Sequence, residues 1–283
     1  MVKRVHTTTR IAFLGPTPPP VMGPAIATSI VLSETPPPDI ELIHLDTADR
    51  RSLATLGRID FGNIWQAIKM YCGLFAIILR YRPHLVYIPI SQTKIGFSRD
   101  SILIVIAWIF RRKIALHLRG GNFRDFTRSC GWMLRGWVKW SLRRARGIIV
   151  LGDCLKEQFT PFVQEDRIHV VPNGEDFPEF EARHRPARRR GLHVAYLGNM
   201  IPLKGPGDLL QAVPGVLAKH AGTRFSFAGS WRNPEFESWA RDYVKRWGLG
   251  GSVEFLGPVD RARKTELLRD ADLFVFPSTR EGH

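Results

Sequence analysis

The sequence predicts an α/β protein with two domains, each built around a doubly wound parallel sheet. Short apolar runs alternate with longer amphipathic segments along the 283 residues, as in strand–helix–strand units. A polar stretch rich in arginine and proline interrupts this alternation, which then starts again. The chain is also longer than the roughly 250 residues at which a single core stops growing, so two domains are expected.

The first domain is predicted to span residues 1–177. Its strands are almost uninterrupted apolar runs, such as Gly147–Leu151, which indicates burial on both faces of the sheet. We place strands at residues 11–15, 40–45, 84–90, 114–118, 147–151 and 167–171, and helices at residues 23–33, 62–82, 98–112, 126–145 and 153–161.

Residues 178–191 are predicted to form a polar linker before the second domain, residues 192–283. Strands are predicted there at residues 192–198, 224–228, 253–256 and 272–276, and helices at residues 205–219, 234–247 and 260–270. The last strand contains Phe274–Phe276, which we expect to be buried and to lead into another helix, but only seven residues follow it. We therefore expect an incomplete second domain in a C-terminally truncated chain. The alternative is a short protein that covers this edge by oligomerising.

Cysteine usage and apolar runs bear on the compartment. Cys72, Cys130 and Cys154 are far apart and lack zinc-site or CxxC spacing, which favours a reduced, cytoplasmic compartment. The longest apolar run, Ile102–Phe110, is shorter than the about 20 residues that span a bilayer. No apolar stretch of signal length follows the basic N-terminus. We expect a cytoplasmic protein, either soluble or peripheral on the inner face of the cell membrane.

The net charge of +15 is concentrated in the first domain. Residues 191–283 contain 12 Lys+Arg and 10 Asp+Glu, a net charge of +2, so residues 1–190 carry +13. Such a basic domain favours a polyanionic partner, namely anionic lipid, nucleic acid or an anionic acceptor. No helix-turn-helix, zinc finger or aromatic ribonucleoprotein motif is visible in the sequence, so nucleic acid is not the expected partner.

Two motifs in the first domain suggest ligand contacts. Gly15–Ala25 follows the first strand, and Gly23 would let a ligand approach the N-terminus of the next helix; a stiff proline-rich turn is the alternative. This loop matches neither a Walker A nor a dinucleotide-binding motif. His117 and Arg119 end the fourth strand before a glycine-rich turn, and their spacing places both on one side. Ligands bind at this edge of open sheets, although a packed histidine without a role fits the same position.

Three further motifs follow strands. Asn173 belongs to an Asn-Gly pair that by itself predicts only a turn. The loop Tyr196–Leu210 joins the first strand of the second domain to its first helix, and Lys204 lies near the N-terminus of that helix. An ammonium group and free N–H groups suit a diphosphate. Pro277–His283 follows the last strand, where the carboxylate of Glu281 beside a glycine suits sugar hydroxyl groups.

Taken together, these motifs resemble the retaining glycosyltransferases of the GT-B fold, specifically group 1 or family 4. Gly198–Gly205 resembles the family's Gly-Arg-x4-Lys-Gly diphosphate loop, and Ala271–Gly282 resembles the strand and first glutamate of its Glu-x7-Glu motif. Val170–Gly174 resembles the Val-x-Pro-Asn-Gly segment before the domain crossover, and Gly15–Ala25 resembles the glycine turn of the acceptor domain. The resemblance covers nearly the whole chain.

The resemblance implies two Rossmann-like domains and transfer of a hexosyl group from a UDP- or GDP-sugar to a glycan or lipid-linked acceptor, with retention of configuration. It implies no metal or other cofactor, because cationic side chains and helix dipoles would stabilise the leaving diphosphate. His117, beside the transferred sugar, and Glu281, on the donor sugar, are the expected catalytic residues. Donor binding is expected from Gly23, Arg119, Asn173, Asn199, Lys204, Gly205, Ser278, Gly282 and His283.

Two departures from the family pattern bear on activity. Asn199 occupies the position of the family's arginine and brings no charge, and Arg119 is the candidate that would compensate. The second glutamate of Glu-x7-Glu, expected to hold the ribose, would lie beyond His283. We therefore expect little or no activity from these residues alone. An inactive fragment, or a non-catalytic nucleotide-sugar-binding protein of the same fold, is the alternative.

Residues 128–146 offer an explanation for the basic first domain. This segment contains three tryptophans and six Lys+Arg, and it has no acidic residue. Basic, tryptophan-rich helices suit an anionic membrane surface, which a lipid-linked acceptor would require. A half-buried helix whose tryptophans face the core fits the same residues, and the sequence leaves both interpretations open.

Overall fold

The computed structural model of the protein describes residues 8–19, 22–50, 61–174 and 191–279. These residues fall into two compact units, one within residues 8–174 and one within residues 191–279. Each unit contains one parallel sheet, so the predicted α/β class with two Rossmann-like sheets is confirmed. The predicted linker lies almost wholly outside the described residues, so the predicted domain boundaries stay predictions.

The first unit contains β1 (Thr9–Gly15), α1 (Gly23–Ser33), β2 (Ile40–Asp46), α2 (Phe61–Tyr81), β3 (Leu85–Ile90), α3 (Lys94–Ile109), β4 (Lys113–Leu118), α4 (Phe123–Ser129), α5 (Trp132–Arg144), β5 (Gly147–Val150), 3-10 helices at Asp153–Gln158 and Glu165–Arg167, and β6 (Ile168–Val170). Its sheet has the strand order β2-β1-β3-β4-β5-β6. Because the chain leaves β1 in one direction and reaches β3 on the other side, the order reverses between β1 and β3. Such a switch point is where open α/β sheets bind ligands.

The helices of the first unit pack on the sheet through apolar faces of helical period. In α2 the buried residues are Met70, Leu74, Ile77 and Ile78, which are spaced so that they share one face. They join residues of α3 and of the central strands in one core. The side chain of Thr93 accepts a hydrogen bond from the Gly96 N–H over 3.2 Å, so α3 begins directly at the carboxyl edge of the sheet.

The second unit contains β7 (His193–Leu197), a 3-10 turn (Pro202–Lys204), α6 (Pro206–Lys219), β8 (Arg224–Ala228), α7 (Pro234–Arg246), a 3-10 turn (Leu249–Gly251), β9 (Val253–Gly257), α8 (Arg261–Asp270) and β10 (Leu273–Phe274). Its described strands form a parallel sheet in the order β10-β7-β8-β9. The order reverses between β7 and β10, so the loops after these two strands lie beside each other at the second switch point.

Three predicted elements differ from the structure. The helix predicted at residues 126–145 is two helices, α4 and α5, because Cys130 and Gly131 have extended backbone conformations and glycine is a poor helix former. The segment predicted as a helix at residues 153–161 is a shorter 3-10 helix. The strand predicted as buried at residues 272–276 pairs only over Leu273–Phe274. These side chains are 55% and 49% exposed, since β10 lies at the edge of the described sheet.

Among the described residues, α2 is long and apolar enough to cross a membrane by length and composition alone. The helix was predicted from the sequence at residues 62–82, but it was not recognised as a candidate span because Lys69 and Arg80 interrupt its apolar residues. Core helices pass the same test, but only four side chains of α2 are buried in the core of the first unit and the rest of the helix is partly or fully exposed. The predicted localisation therefore stays a prediction.

Gly229 provides a test of the packing of the second unit. Its φ is +153°, and a Cβ at this position would overlap the carbonyl oxygen of Gly198, so Gly229→Ala must displace the backbone after β8 or β7. We expect a loss of at least about 3 kcal/mol in the free energy of unfolding. Gly215→Ala is the matched control, because Gly215 lies in α6 with open space at its Cβ position. It should be neutral or stabilising by about 0.5–1 kcal/mol. Denaturant unfolding measures both, and equal effects would contradict this packing.

Candidate functional site

In the first unit, three polar side chains meet at the carboxyl ends of β3 and β4. The Tyr87 hydroxyl lies 2.6 Å from His117 Nδ1, and Arg119 Nη2 donates a hydrogen bond to the same hydroxyl over 3.0 Å. His117 and Arg119 therefore face one side, as their spacing predicted. Tyr87 was not predicted, because a single tyrosine in an apolar strand is indistinguishable from a core residue.

This arrangement determines the state of His117. Since Arg119 donates to the Tyr87 oxygen, the hydroxyl hydrogen is available to His117 Nδ1, and the ring proton then lies on Nε2. Nε2 is buried without a hydrogen-bond partner among the described residues. Burial, together with the smaller effect of the nearby charge of Arg119, lowers the pKa of His117 from 6.5 to about 4. His117 is thus a neutral N–H donor near neutral pH.

The surroundings keep this cluster in place. The ring of Tyr87 stacks on Phe13, with 4.4 Å between ring centroids, and lies edge-on to His117 at 5.7 Å. Arg119 Nη1 donates to the carbonyl oxygen of Pro24 over 3.1 Å, which links the cluster to the start of α1.

The predicted residue Gly23 precedes this contact. The space at its Cβ position is open, so no close backbone approach within the described residues requires glycine there.

Two glutamines hold the glycine-rich turn after β4. The Gln92 side-chain carbonyl accepts a hydrogen bond from the backbone N–H of Asn122, and a Cβ on Gly120 would overlap the Gln92 amide. Gln158 donates from Nε2 to the carbonyl oxygen of Gly121 over 3.0 Å and accepts from the backbone of the next helix. The sequence analysis missed both glutamines, since each lies about 30 or more residues from its partner.

A cavity of about 670 Å³ opens at the switch point of the first unit. Its walls come from the loops after β1, β2 and β3, from the first turns of α2 and α3, and from Arg119. The polar residues that line it are Thr47, Asp49, Asn63, Gln66, Ser91, Gln92, Thr93, Arg99 and Arg119, among apolar residues such as Pro16, Ile64 and Ile95. A cavity with apolar walls and a few polar groups is typical of a small-molecule site.

Asp46, at the end of β2, braces one wall of this cavity. It accepts hydrogen bonds from the backbone and hydroxyl of Thr17 at 3.1 and 2.9 Å, from the backbone of Ala48 at 2.9 Å and from Arg50 at 2.8 Å. Burial raises the pKa of Asp46, but these hydrogen bonds outweigh it and hold the pKa below its ordinary value. The ionised carboxylate therefore ties the loop after β1 to the loop after β2.

In the second unit, the predicted diphosphate loop forms a closed turn before α6. The Tyr196 hydroxyl lies within hydrogen-bond distance of the carbonyl oxygens of Asn199, at 3.2 Å, and Lys204, at 3.3 Å, so it fastens both ends of the loop. Lys204 Nζ lies 5.7 Å from the centroid of the Phe276 ring. The backbone N–H groups of Gly207 and Asp208, in the first turn of α6, have no hydrogen-bond partner among the described residues.

The segment after β10 packs directly against this loop. The Thr279 backbone and the Ser278 hydroxyl donate to the carbonyl oxygen of Leu203 over 3.2 and 3.3 Å. Gly205 has φ +73°, and a Cβ there would overlap the Pro277 carbonyl, so only glycine allows this approach. The structure thus brings together Lys204, Gly205 and Ser278, which the sequence had placed in two separate motifs.

Two of the remaining predicted site residues have exposed side chains. Asn173 is exposed after β6 and makes no hydrogen bond with the other described residues, and the side chain of Asn199 is also exposed. Glu281, Gly282 and His283 lie outside the described residues. Within the described ranges, no cluster of three or more His, Cys, Asp or Glu side chains could hold a metal ion. The expectation of a metal-independent reaction stays a prediction.

The pKa of His117 predicts a pH dependence of stability. Because its folded-state pKa of about 4 lies below the ordinary value of 6.5, the unfolded chain binds a proton between these values that the folded protein does not. Stability is therefore lost as pH falls from 6.5 to 4, by at most about 3 kcal/mol. His117→Gln removes this loss, so its free energy of unfolding should fall less steeply than that of the wild type. Parallel pH profiles of the two proteins in urea titrations would contradict the burial of this ring.

Comparisons with known proteins agree with the geometry of the second unit. Residues 191–283 match the family model described as "Glycosyl transferases group 1". The chain is 34% identical over 135 residues to D-inositol 3-phosphate glycosyltransferase of Corynebacterium kroppenstedtii, an alignment of 41% of this chain and 29% of the relative. It is 27% identical over 143 residues to glycogen synthase of Mycobacterium tuberculosis, an alignment of 49% of this chain and 33% of the relative. The chain thus spans about a third of the length of the curated relatives that it matches.

Solved structures show the fold. Anabaena Alr3699/HepE in complex with UDP and glucose matches with a TM-score of 0.63 at 16% identity, over 96% of this chain and 74% of that one. Sucrose-phosphate synthase from Thermosynechococcus elongatus matches with a TM-score of 0.64 at 15% identity, over 97% and 77%. The described residues therefore have the α/β fold of GT-B glycosyltransferase structures, and residues 191–283 match a group 1 glycosyltransferase domain.

Proposed function

We propose that this protein transfers a hexosyl group from a UDP- or GDP-sugar to a glycan or lipid-linked acceptor, with retention of configuration and without a metal ion. The observation that carries the proposal is the packing of the loop before α6 against the segment after β10. It supports a site in which Lys204 and Ser278 contact one ligand. We propose either UDP or GDP as the donor nucleotide, although solved structures of similar fold are complexes with UDP or UDP-glucose.

The charge distribution of this loop suits a leaving diphosphate. When the bond between the donor sugar and the diphosphate breaks, negative charge accumulates on the diphosphate oxygens. The ammonium group of Lys204 and the N–H groups of the first turn of α6 would stabilise that charge. Glycine at position 205 lets this turn form without a side chain that would obstruct the approach.

We assign the acceptor to the cavity of the first unit. Its apolar walls suit the hydrophobic part of an acceptor or the faces of sugar rings, and its amide and hydroxyl groups suit hydroxyl recognition. His117 would act on the transferred sugar as a neutral hydrogen-bond donor through Nε2, held in that state by Tyr87. This role agrees with the lowered pKa of His117, because a charged ring would not be needed.

A non-catalytic nucleotide-sugar-binding protein is the second candidate. The observation that favours it is Asn199, whose exposed side chain stands where the resemblance expects an arginine. A site with one positive charge fewer would bind a nucleotide but stabilise a leaving diphosphate less. Release of nucleotide from a bound UDP- or GDP-sugar in the presence of mixed acceptors separates the two candidates, because a binding protein would release none.

We also propose that α5 and its surroundings contact an anionic membrane surface. Trp132 and Met133 are 84% and 69% exposed, whereas Trp137 donates to the Ser101 hydroxyl over 2.8 Å and stacks on Trp140. We therefore propose Trp132 and Met133 as the residues that contact the membrane. Pelleting with phosphatidylglycerol vesicles should fall in Trp132→Ser/Met133→Ser. Equal pelleting of the wild type with phosphatidylcholine vesicles would contradict this contact.

Lys204→Gln tests the proposed diphosphate site. We expect UDP or GDP to bind at least tenfold more weakly, because a hydrogen bond to a charged group contributes about 1.5–3 kcal/mol. Lys219→Gln is the matched control, since Lys219 is an exposed lysine in the last turn of the same helix. It should change the affinity less than twofold. Calorimetric titration with each nucleotide measures both variants. Binding of neither nucleotide to the wild type, or equal losses in both variants, would contradict the site.

A further inference from the structure

A second pocket lies at the opposite end of the first unit's sheet. It has a volume of about 410 Å³ and is formed where α3 and α5 end and where β4, β5 and β6 begin. Seven of the ten residues that line it are cationic, namely Arg111, Arg112, Lys113, Arg143, Arg144, Arg146 and Arg167, and the other three are Trp108, Ile114 and Ala145. We call this group of residues the cationic pocket.

No negative charge in its walls balances the cationic pocket. No acidic residue lines it, and none of its seven cations forms an ion pair with the described residues. The ends of α3 and α5 offer the equivalent of about half a negative charge each, which offsets only about one of the seven. Like charges held together in this way repel one another, and a bound polyanion would relieve the repulsion.

Two of the arginines are held in position before any ligand binds. The guanidinium of Arg144 lies 4.9 Å from the Trp108 ring centroid and 4.8 Å from that of Trp140, between two indoles that meet edge to face. Trp140 is stacked in turn on Trp137. Arg112 donates from Nη1 to the Pro83 carbonyl oxygen over 3.3 Å, and its buried Nε has no hydrogen-bond partner among the described residues.

These features distinguish the pocket from an ordinary basic surface. Exposed cations normally extend into solvent, whereas here Arg112 and Arg144 are fixed by packing and by a hydrogen bond. Arginine is the preferred partner of phosphate because its guanidinium can donate two parallel hydrogen bonds. The volume exceeds that of one phosphate group, so the ligand can carry more than one.

We infer that the cationic pocket binds a phosphate-bearing ligand with two or more negative charges, at a site separate from the proposed donor and acceptor contacts. The inference does not depend on glycosyl transfer, because the pocket lies at the amino-terminal ends of the strands and shares no lining residue with the cavity at the carboxyl ends. A soluble oligophosphate and the headgroup of an anionic lipid offer the same chemistry.

Calorimetric titration of the full chain with inorganic pyrophosphate tests the inference. Arg143→Gln/Arg146→Gln removes two exposed cations from the pocket and should weaken binding at least tenfold. Arg135→Gln/Lys139→Gln also removes two positive charges, both from parts of α5 outside the pocket, and should weaken binding less than threefold. Pyrophosphate should also raise the Tm of the wild type and of the Arg135→Gln/Lys139→Gln control more than that of Arg143→Gln/Arg146→Gln. All three proteins should fold, because these side chains are exposed.

Lys204→Gln separates this site from the proposed diphosphate loop, and it should retain the pocket's binding of pyrophosphate. The inference is overturned if pyrophosphate does not bind, if both double variants weaken binding equally, or if only Lys204→Gln loses it. Vesicles that contain cardiolipin, an anionic lipid whose headgroup carries two phosphates, identify the source of the phosphate. A lipid headgroup is supported if pyrophosphate reduces pelleting with the vesicles and if Arg143→Gln/Arg146→Gln loses more pelleting than the control. Pelleting that pyrophosphate leaves unchanged supports a soluble ligand.

Discussion

Both units depend on one constraint, the reversal of strand order beside the first strand of each parallel sheet. Right-handed crossovers on opposite faces leave the loops after β1 and β3, and those after β7 and β10, at the same edge of their sheets. In the first unit this opens the cavity between the loops after β1 and β3. In the second it brings the carbonyl of Pro277 against Gly205, where no side chain would fit. The strand order therefore determines which loops meet at each edge, and the side chains of those loops determine the chemistry there.

Much of this could be predicted from the sequence, because the signals are local. Apolar runs and helical periods predicted nearly every strand and helix within a few residues, and the glycine–lysine motif predicted a loop before α6. What could not be predicted depends on contacts between distant residues. Tyr87 and Gln158 are ordinary residues of an apolar strand and of a short helix until His117 and Gly121 are placed beside them. The break at Gly131 was missed because the amphipathic pattern continues across it.

The two ends of the first unit's sheet have opposite electrostatic character. At the carboxyl edge, a buried histidine is kept neutral, and the nearby arginine is occupied by a phenol and a carbonyl oxygen. At the amino edge, seven cations gather from three segments of the chain. The sequence revealed only that the first domain was basic. The structure shows that Arg144 packs against Trp108 and Trp140. Trp137 and Trp140 of α5 both contact α3, and Trp137 is still 39% exposed.

Hydrogen–deuterium exchange with and without UDP or GDP tests the central claim most directly, because it locates the bound nucleotide on the chain. If the nucleotide binds at the loop before α6, at least one nucleotide should slow exchange of the backbone amides in residues 198–208 and 276–279. These two segments meet at the switch point of the second unit. Protection confined to other segments, or no protection by either nucleotide, would contradict nucleotide binding at this site.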